Sequence, residues 1–127
     1  MTGSGPLSVW VWIAVCALGG VFSVGRFLLD GAISSRTQGG FPWGTFAVNI
    51  TGSFALGWLV GAALSGTTLL LAGSASVGAY TTFSTWMFEA HRLGEDADRR
   101  PLVAYLLGSV VVGLLAAGAG HYLGRTL

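Results

Sequence analysis

Three long runs without a charged side chain restrict the fold of this 127-residue chain more than any other feature. No Asp, Glu, Lys or Arg occurs at residues 1–25, 37–88 or 101–124. A helix that crosses a membrane needs about 20 consecutive, mostly apolar residues. The first and last runs are each long enough for one crossing, and the middle run is long enough for two. The sequence therefore predicts an all-α integral membrane protein with four transmembrane helices.

The composition excludes several other classes of protein. Only 9% of the residues are charged, compared with about 25% in an average soluble domain. Six arginines against five acids give a formal net charge of +1, which provides no basic field for nucleic acid. The single cysteine, Cys16, leaves no intrachain disulfide and no thiolate metal cluster. We expect a multi-pass protein of the cell membrane.

The four predicted helices account for most of the chain. In chain order they are residues 7–29, 43–64, 68–91 and 101–123. Pro42 and Pro101 stand at two of the starts, where proline is favoured. The first run lacks a basic segment before its apolar core, and Trp10 and Trp12 suit an interfacial anchor, so we interpret it as a span and not as a signal peptide. Residues 1–127 then form a single membrane domain.

The third span contains the most informative segment. Residues 78–86 read Gly-Ala-Tyr-Thr-Thr-Phe-Ser-Thr-Trp, a glycine-led segment rich in hydroxyl groups. We expect the helix to break at residues 78–82, because irregular backbone at membrane depth is tolerated only inside protein or along a polar cavity. Hydroxyl groups donate to anions, and the edges of aromatic rings carry partial positive charge. Threonines beside Phe83 and Trp86 therefore favour an anion pathway.

Polar and small residues recur every fourth position in the second and fourth spans, and so lie along one side of each helix. The two series are Thr45, Asn49, Ser53, Gly57, Gly61, Ser65 and Tyr105, Ser109, Gly113, Ala117, His121, Arg125. Gly57 and Gly61 suit close helix packing. Asn49 needs hydrogen-bond partners in a membrane, and we expect it to face a pore. Tyr105 and Ser109 fit either a row of pore donors or interhelical hydrogen bonds.

Few charged side chains approach the spans. Arg26, at the end of the first predicted helix, fits either an interfacial position or a vestibule where it would neutralise an anion. Asp30 and Glu89 lie near predicted helix ends. Either acid could pair with Arg26 or with Arg92, or simply remain solvated at the interface.

In their order and spacing, these residues resemble the Fluc family of fluoride channels, also called CrcB. The resemblance spans all four predicted helices. The segments that carry it are Gly25-Arg26-Phe27, Pro42-Trp43-Gly44-Thr45-Phe46, Val48-Asn49, Gly52-Ser53-Phe54, and Gly78 with Thr81-Thr82-Phe83-Ser84-Thr85.

The resemblance implies an antiparallel, dual-topology dimer with two pores, each built from both subunits, that exports cytoplasmic fluoride passively and so gives fluoride resistance. It also implies a structural sodium ion, held by the main-chain carbonyls of Gly78 and Thr81 from both subunits. Arg26 matches the vestibule arginine. The implied fluoride pathway comprises Asn49, Phe83, Trp86, Thr45, Ser84, Thr85, Tyr105 and Ser109.

Two positions depart from the family pattern. Trp86 stands where the second pore phenylalanine is expected, and Gly113 where a serine is expected. Four crossings would also place five arginines on one side of the membrane and Arg125 alone on the other, whereas a dual-topology homodimer needs little bias. These departures fit a heterodimer whose partner inserts the opposite way, and a homodimer remains the alternative.

Other functions fit the sequence less well. A small proton-coupled multidrug exporter needs a carboxylate within the membrane, and the first predicted helix has no acid before Asp30. A non-transporting scaffold would use the hydroxyl series only for packing. An intramembrane hydrolase would need a base beside its nucleophile, but His91 and His121 lie near helix ends, so we expect no enzyme.

Overall fold

The structure is a computed structural model that describes residues 6–127, and within that range every regular element is helical. Helix α1 spans Val9–Ser34, α2 spans Trp43–Gly61, α4 spans Ser84–Gly94 and α5 spans Arg100–Thr126. Helix α3 consists of three consecutive segments, Gly66–Leu69, Leu70–Val77 and Gly78–Tyr80. Because α3 and α4 are two parts of one interrupted helix, the prediction of an all-helical chain with four helices is confirmed.

Helices α1 and α5 have the length and apolar character of membrane spans. They contain 26 and 27 residues, so each is about 40 Å long at 1.5 Å per residue, more than the roughly 30 Å of a hydrocarbon core. No residue of α1 is buried within the chain, and its large apolar side chains, such as Trp10 and Phe27, are exposed. This surface suits lipid or another protein chain.

Helices α2 and α5 pack backbone against backbone through glycines. A Cβ atom at Gly57 would overlap the carbonyl group of Ala117, and one at Gly120 would overlap that of Phe54. The same contact recurs one turn later on each helix, at Gly61 and Gly124. Small residues allow such an approach where water provides no hydrophobic driving force between helices. The predicted packing face at Gly57 and Gly61 is therefore confirmed.

The middle of α3 is π-helical. In the segment Leu70–Val77 the buried residues are Gly73, Ala75 and Ser76, and the Ser76 hydroxyl donates to the Leu71 carbonyl over 2.7 Å. π-Helical turns are rare and occur frequently at functional sites. The π-helical segment ends directly before the short turn Gly78–Tyr80, and that turn precedes the interruption.

The interruption lies at residues 81–83, slightly later than the predicted 78–82. Gly78 has helical backbone angles (φ −60°, ψ −40°), whereas Thr81 is extended (φ −79°, ψ 162°). The helix ends here because the backbone N–H of Thr82 donates to the side chain of Asn49 and not to the preceding helical turn. Glycine alone does not break α3.

Helix α1 continues to Ser34, five residues beyond the predicted end at 29. Arg26 is therefore not at the helix terminus but lies about 12 Å before it. Closer to the end, Ser34 Oγ donates to Asp30 over 3.1 Å.

The start of α2 and the end of α4 meet at the same end of the molecule. Arg92 pairs with Glu89 at 2.6 Å, and its Nη2 also donates to the Gly40 carbonyl over 3.3 Å. Of the alternatives that the sequence left open for Glu89, the structure shows the pairing with Arg92 and not simple solvation. Arg92 thereby attaches α4 to the segment between α1 and α2.

Candidate ion pathway

The interrupted part of the third helix rests on one turn of α2. The Thr51 and Tyr80 hydroxyls lie 2.8 Å apart in a hydrogen bond. A Cβ atom at Gly52 would overlap the Thr81 methyl group, so glycine at this position leaves room for the Thr81 side chain. These contacts hold the chain on both sides of the point where helical geometry stops.

Asn49 makes two hydrogen bonds to the backbone of one residue, Thr82. Its Oδ1 accepts from the Thr82 N–H over 2.9 Å, and its Nδ2 donates to the Thr82 carbonyl over 2.9 Å. A carboxamide has the donor and acceptor of a peptide group, so Asn49 satisfies both backbone groups where no helix does. One Nδ2 hydrogen remains beyond this pair.

Thr82 also shapes the start of α4. Its Oγ1 accepts from the Thr85 N–H over 3.2 Å, the type of bond by which a threonine caps the first turn of a helix. Thr82 is thus bonded through its backbone to α2 and through its side chain to α4.

The rerouted bonds leave two carbonyl groups free. In a continuous helix the Thr82 and Thr85 N–H groups would donate to the carbonyls of Gly78 and Thr81, four residues earlier. Here they donate to Asn49 Oδ1 and Thr82 Oγ1. Within residues 6–127, neither carbonyl accepts a hydrogen bond from elsewhere.

An open groove of about 500 Å³ runs beside the interruption. Its lining includes Asn49, Gly78, Thr81, Phe83 and Trp86, and so brings together five of the predicted site residues. The Phe83 side chain is 71% exposed and projects from the chain beside this groove, with its ring centroid 5.6 Å from that of Trp86.

A second group of predicted residues lies behind Trp86. The ring of Trp86 is 6.3 Å from that of Tyr105, which is completely buried. Trp86 Nε1, Tyr105 OH and Ser109 Oγ are all buried, and none makes a well-aligned hydrogen bond within residues 6–127, although the Thr45 hydroxyl lies close to that of Tyr105. Each such group costs about 1–3 kcal/mol when it stays unpaired. Together with Arg26 Nε, these three atoms are the buried side-chain polar atoms without a hydrogen-bond partner among residues 6–127.

The remaining pathway candidates lie nearer the ends of the helices. Thr45 is 2% exposed and lines a separate polar pocket of about 150 Å³ together with Asp30, Glu89 and Arg92. Ser84 and Thr85 belong to the first turn of α4 and do not line the groove beside the interruption. The predicted residues therefore form three neighbouring groups and not one continuous row.

Arg26 lies within α1, eight residues before its end at Ser34. Its Nε is buried and has no partner among residues 6–127. Ser23, three residues earlier on the same face of α1, donates to the Ala79 carbonyl over 3.5 Å. Arg26 thus belongs to the face of α1 that packs against the end of α3.

Sequence patterns gave no direct sign of the contacts made by Thr82, Gly52 or Tyr80. One indirect signal existed. Asn49 at membrane depth requires a donor and an acceptor, and a broken helix offers both on its backbone. Matching these two requirements would have paired Asn49 with the interruption, although not with Thr82 in particular.

The family model described as "CrcB-like protein, Camphor Resistance (CrcB)" matches residues 13–121 of this chain. The chain belongs to the CrcB family. The matched region includes Asn49, the interruption and the three unpaired donors, so the resemblance noted from the sequence is confirmed.

Named relatives agree with this assignment over most of their length. The CrcB chain is 50% identical over 125 residues to "Fluoride-specific ion channel FluC 2" of Mycobacterium tuberculosis strain H37Rv, covering 98% of this chain and 99% of that protein. It is 41% identical over 100 residues to "Fluoride-specific ion channel FluC 1" of Ligilactobacillus salivarius, covering 79% and 87%. A FluC 2 of Clostridium acetobutylicum is 36% identical over 103 residues, covering 81% and 88%.

Proposed function

We propose that this chain forms a fluoride-selective channel that lets cytoplasmic fluoride leave the cell passively and so protects the cell from fluoride. Family membership and the names of the relatives support the activity. The observation on this chain that carries it is the set of buried donors without a well-aligned acceptor among residues 6–127: Trp86 Nε1, Tyr105 OH and Ser109 Oγ. Donors that lack an acceptor at membrane depth suit an anion.

The donor groups account for selectivity. Fluoride is small and strongly hydrated, so a pore must replace its water with several close hydrogen-bond donors. Trp86 Nε1, Tyr105 OH and Ser109 Oγ provide three such donors, and Asn49 retains one N–H after its bonds to Thr82. In the proposed pathway Phe83 contributes the positive edge of its ring. The hydroxyls of Thr45, Ser84 and Thr85 donate to fluoride before it reaches these donors and after it leaves them.

Passive flow is sufficient for export. In an acidic environment fluoride crosses the bilayer as neutral hydrogen fluoride and dissociates in the more alkaline cytoplasm. The anion then leaves down its own gradient, without a covalent step or an energy-supplying nucleotide. The relatives are named ion channels, and the proposed role is likewise transport and not enzymatic catalysis.

An antiparallel dimer with four crossings per chain is part of the proposal. The groove beside the interruption is open, and Phe83 projects from the chain beside it, so one chain provides only part of a closed pathway. A second copy or a related chain would provide the facing wall. Relatives carry the names FluC 1 and FluC 2, which agrees with paired chains, as does the arginine bias of the loops.

The chemistry of the interruption fits a structural sodium ion. Carbonyl oxygens are suitable ligands for a hard cation, and those of Gly78 and Thr81 accept no hydrogen bond within the described residues. They also lie at the C-terminal end of α3, where the helix dipole favours positive charge. When bound, sodium would supply the charge that holds four such carbonyls, two from each subunit, at the dimer centre.

Flux measurements test the proposal. The purified protein is reconstituted into vesicles loaded with potassium fluoride, and external fluoride is followed with an electrode after a potassium ionophore is added. We expect fluoride release without a proton gradient, and no release from matched vesicles loaded with chloride. Release of neither anion from the chain, alone or coexpressed with a FluC relative from the same genome, would overturn the proposal. Transport of cationic drugs would favour the exporter.

A further inference from the structure

We propose that Asn49 and Thr82 are positioning residues that hold the interruption open and thereby free the Gly78 and Thr81 carbonyls to bind a cation. The consequence for permeation rests on the proposed function, whereas the bonding itself does not. Asn49 would then act on two sites at once, because the same side chain lines the groove and keeps both carbonyls out of the helix.

The first step concerns the Thr82 N–H. A continuous α-helix would direct it to the Gly78 carbonyl. Asn49 Oδ1 receives it instead, over 2.9 Å, while Asn49 Nδ2 bonds to the Thr82 carbonyl over 2.9 Å. Two bonds from one planar carboxamide fix both the position and the rotation of this peptide backbone. The Gly78 carbonyl is left without its donor.

The second step concerns the Thr85 N–H, which would otherwise reach the Thr81 carbonyl. Thr82 Oγ1 receives it over 3.2 Å. That hydroxyl is in reach only because the Thr82 backbone is held by Asn49. The two residues therefore act in series, and each releases one of the two carbonyls.

The neighbouring turn of α2 leaves space for this arrangement. Gly52 leaves space for the Thr81 side chain, since a Cβ atom there would overlap it. Without Asn49 the Thr82 N–H and carbonyl would be unpaired at membrane depth, which is unfavourable. The segment would then alternate between an open form, in which the Thr82 N–H is unpaired and exchanges, and a helical form, which consumes the Gly78 and Thr81 carbonyls.

Amide hydrogen exchange at Thr82 and Thr85 tests the proposal directly. The assembled protein in lipid nanodiscs is labelled with deuterium and analysed by mass spectrometry on overlapping peptides across residues 78–86. We expect the Asn49→Leu variant to speed exchange at Thr82 by about tenfold or more, because the amide loses its fixed acceptor and is unpaired for part of the time. The Thr82→Val variant should speed exchange at Thr85 and leave Thr82 protected.

The Ser53→Ala variant is the matched control. Ser53 is one turn from Asn49 on α2, lines the same groove, and its hydroxyl bonds only within its own helix, to the Asn49 carbonyl over 2.8 Å. Exchange at Thr82 and Thr85 should be unchanged in this variant.

The Asn49→Asp variant keeps the proposal testable if Asn49→Leu fails to fold. A carboxylate accepts from the Thr82 N–H, but it cannot donate to the Thr82 carbonyl and repels that oxygen, so it holds the Thr82 backbone less firmly; a protonated carboxyl group makes both bonds. Relative to wild type at the same pH, exchange at Thr82 should be fast at neutral pH and should slow again at acidic pH. A residue that only binds fluoride would not give this reversal.

Unchanged exchange at Thr82 in the folded Asn49→Leu variant, or the absence of any acid recovery in Asn49→Asp, would overturn the inference. Failure of the proposed function is a separate result, since it would appear as absent fluoride flux in wild-type protein whatever the exchange pattern. As a further readout, sodium chloride should raise the melting temperature of wild type over that in N-methylglucamine chloride. This increase should shrink in both variants that disturb the Thr82 bonds.

Discussion

At the scale of single residues, Trp86 gives the groove a chemistry that a phenylalanine could not. Its indole N–H is buried beside Tyr105 and has no acceptor within the described chain. A hydrogen bond to a charged partner contributes about 1.5–3 kcal/mol, more than a bond between neutral groups. In the proposed channel Trp86 therefore binds fluoride strongly, and strong binding slows release.

Trp86→Phe should weaken fluoride binding by about tenfold or more, the equivalent of the lost charge-assisted bond. We expect flux to saturate at higher fluoride concentration and its maximum to rise. The dependence of vesicle flux on fluoride concentration measures both quantities. Trp10→Phe, at a position 76% exposed on α1, should leave the curve unchanged. An identical curve for Trp86→Phe would show that its N–H does not meet the ion.

Phe83→Ile should depress fluoride flux while the protein remains assembled. The Phe83 ring is 71% exposed in the single chain, so its replacement removes little packing within the chain, but it does remove the aromatic edge beside the groove. Flux assays paired with size-exclusion chromatography check both parts. Normal flux in Phe83→Ile would place the pathway elsewhere.

At the scale of helices, the contact between α2 and α5 depends on backbone proximity and not on large side chains. The glycines of the two helices alternate along the contact, and each opposes a carbonyl group of the other helix. This rigid contact keeps Asn49 on α2 in a fixed relation to Tyr105 and Ser109 on α5. The interruption therefore packs against a helix whose position is fixed.

Gly120→Ala should destabilise the protein by about 1–3 kcal/mol, the usual cost of overpacking, because the added methyl group would meet the backbone of Phe54. Gly118→Ala is the matched control, since the space around Gly118 is open and alanine favours helices. Thermal unfolding in detergent with a fluorescent probe compares the two variants. Equal melting temperatures would show that α2 and α5 are further apart than described.

Sequence patterns predicted the helices well because they depend on local properties. Charge-free runs and prolines marked the spans, and Pro42 and Pro101 do stand at the starts of α2 and α5. The pairing of Asn49 with Thr82 joins residues 33 positions apart, which only the packing of α2 against the third helix can determine. Because of this contact, the interruption lies after Gly78 and not at it, where the sequence predicted it. Because α1 is longer than predicted, Arg26 lies within the helix and not at its end.

At the scale of the whole molecule, the proposed assembly depends on a cation at the shared centre. Replacing sodium with N-methylglucamine should abolish or strongly reduce fluoride flux and lower the melting temperature, because a ligand that binds only the native state stabilises it by mass action. Both effects should reverse when sodium is restored. If fluoride flux and melting temperature are the same in sodium and in N-methylglucamine, the assembly contains no structural sodium ion.

The peripheral position of α1 also has a consequence for synthesis. Helix α1 leaves the ribosome first, yet none of its residues is buried in the finished chain. Contact with lipid can therefore drive its insertion before the helices that it contacts have been translated. Arg26 lies within α1 and Arg36 just beyond its end, so the direction in which the polypeptide enters the bilayer is chosen while residues 78–86 are still unmade.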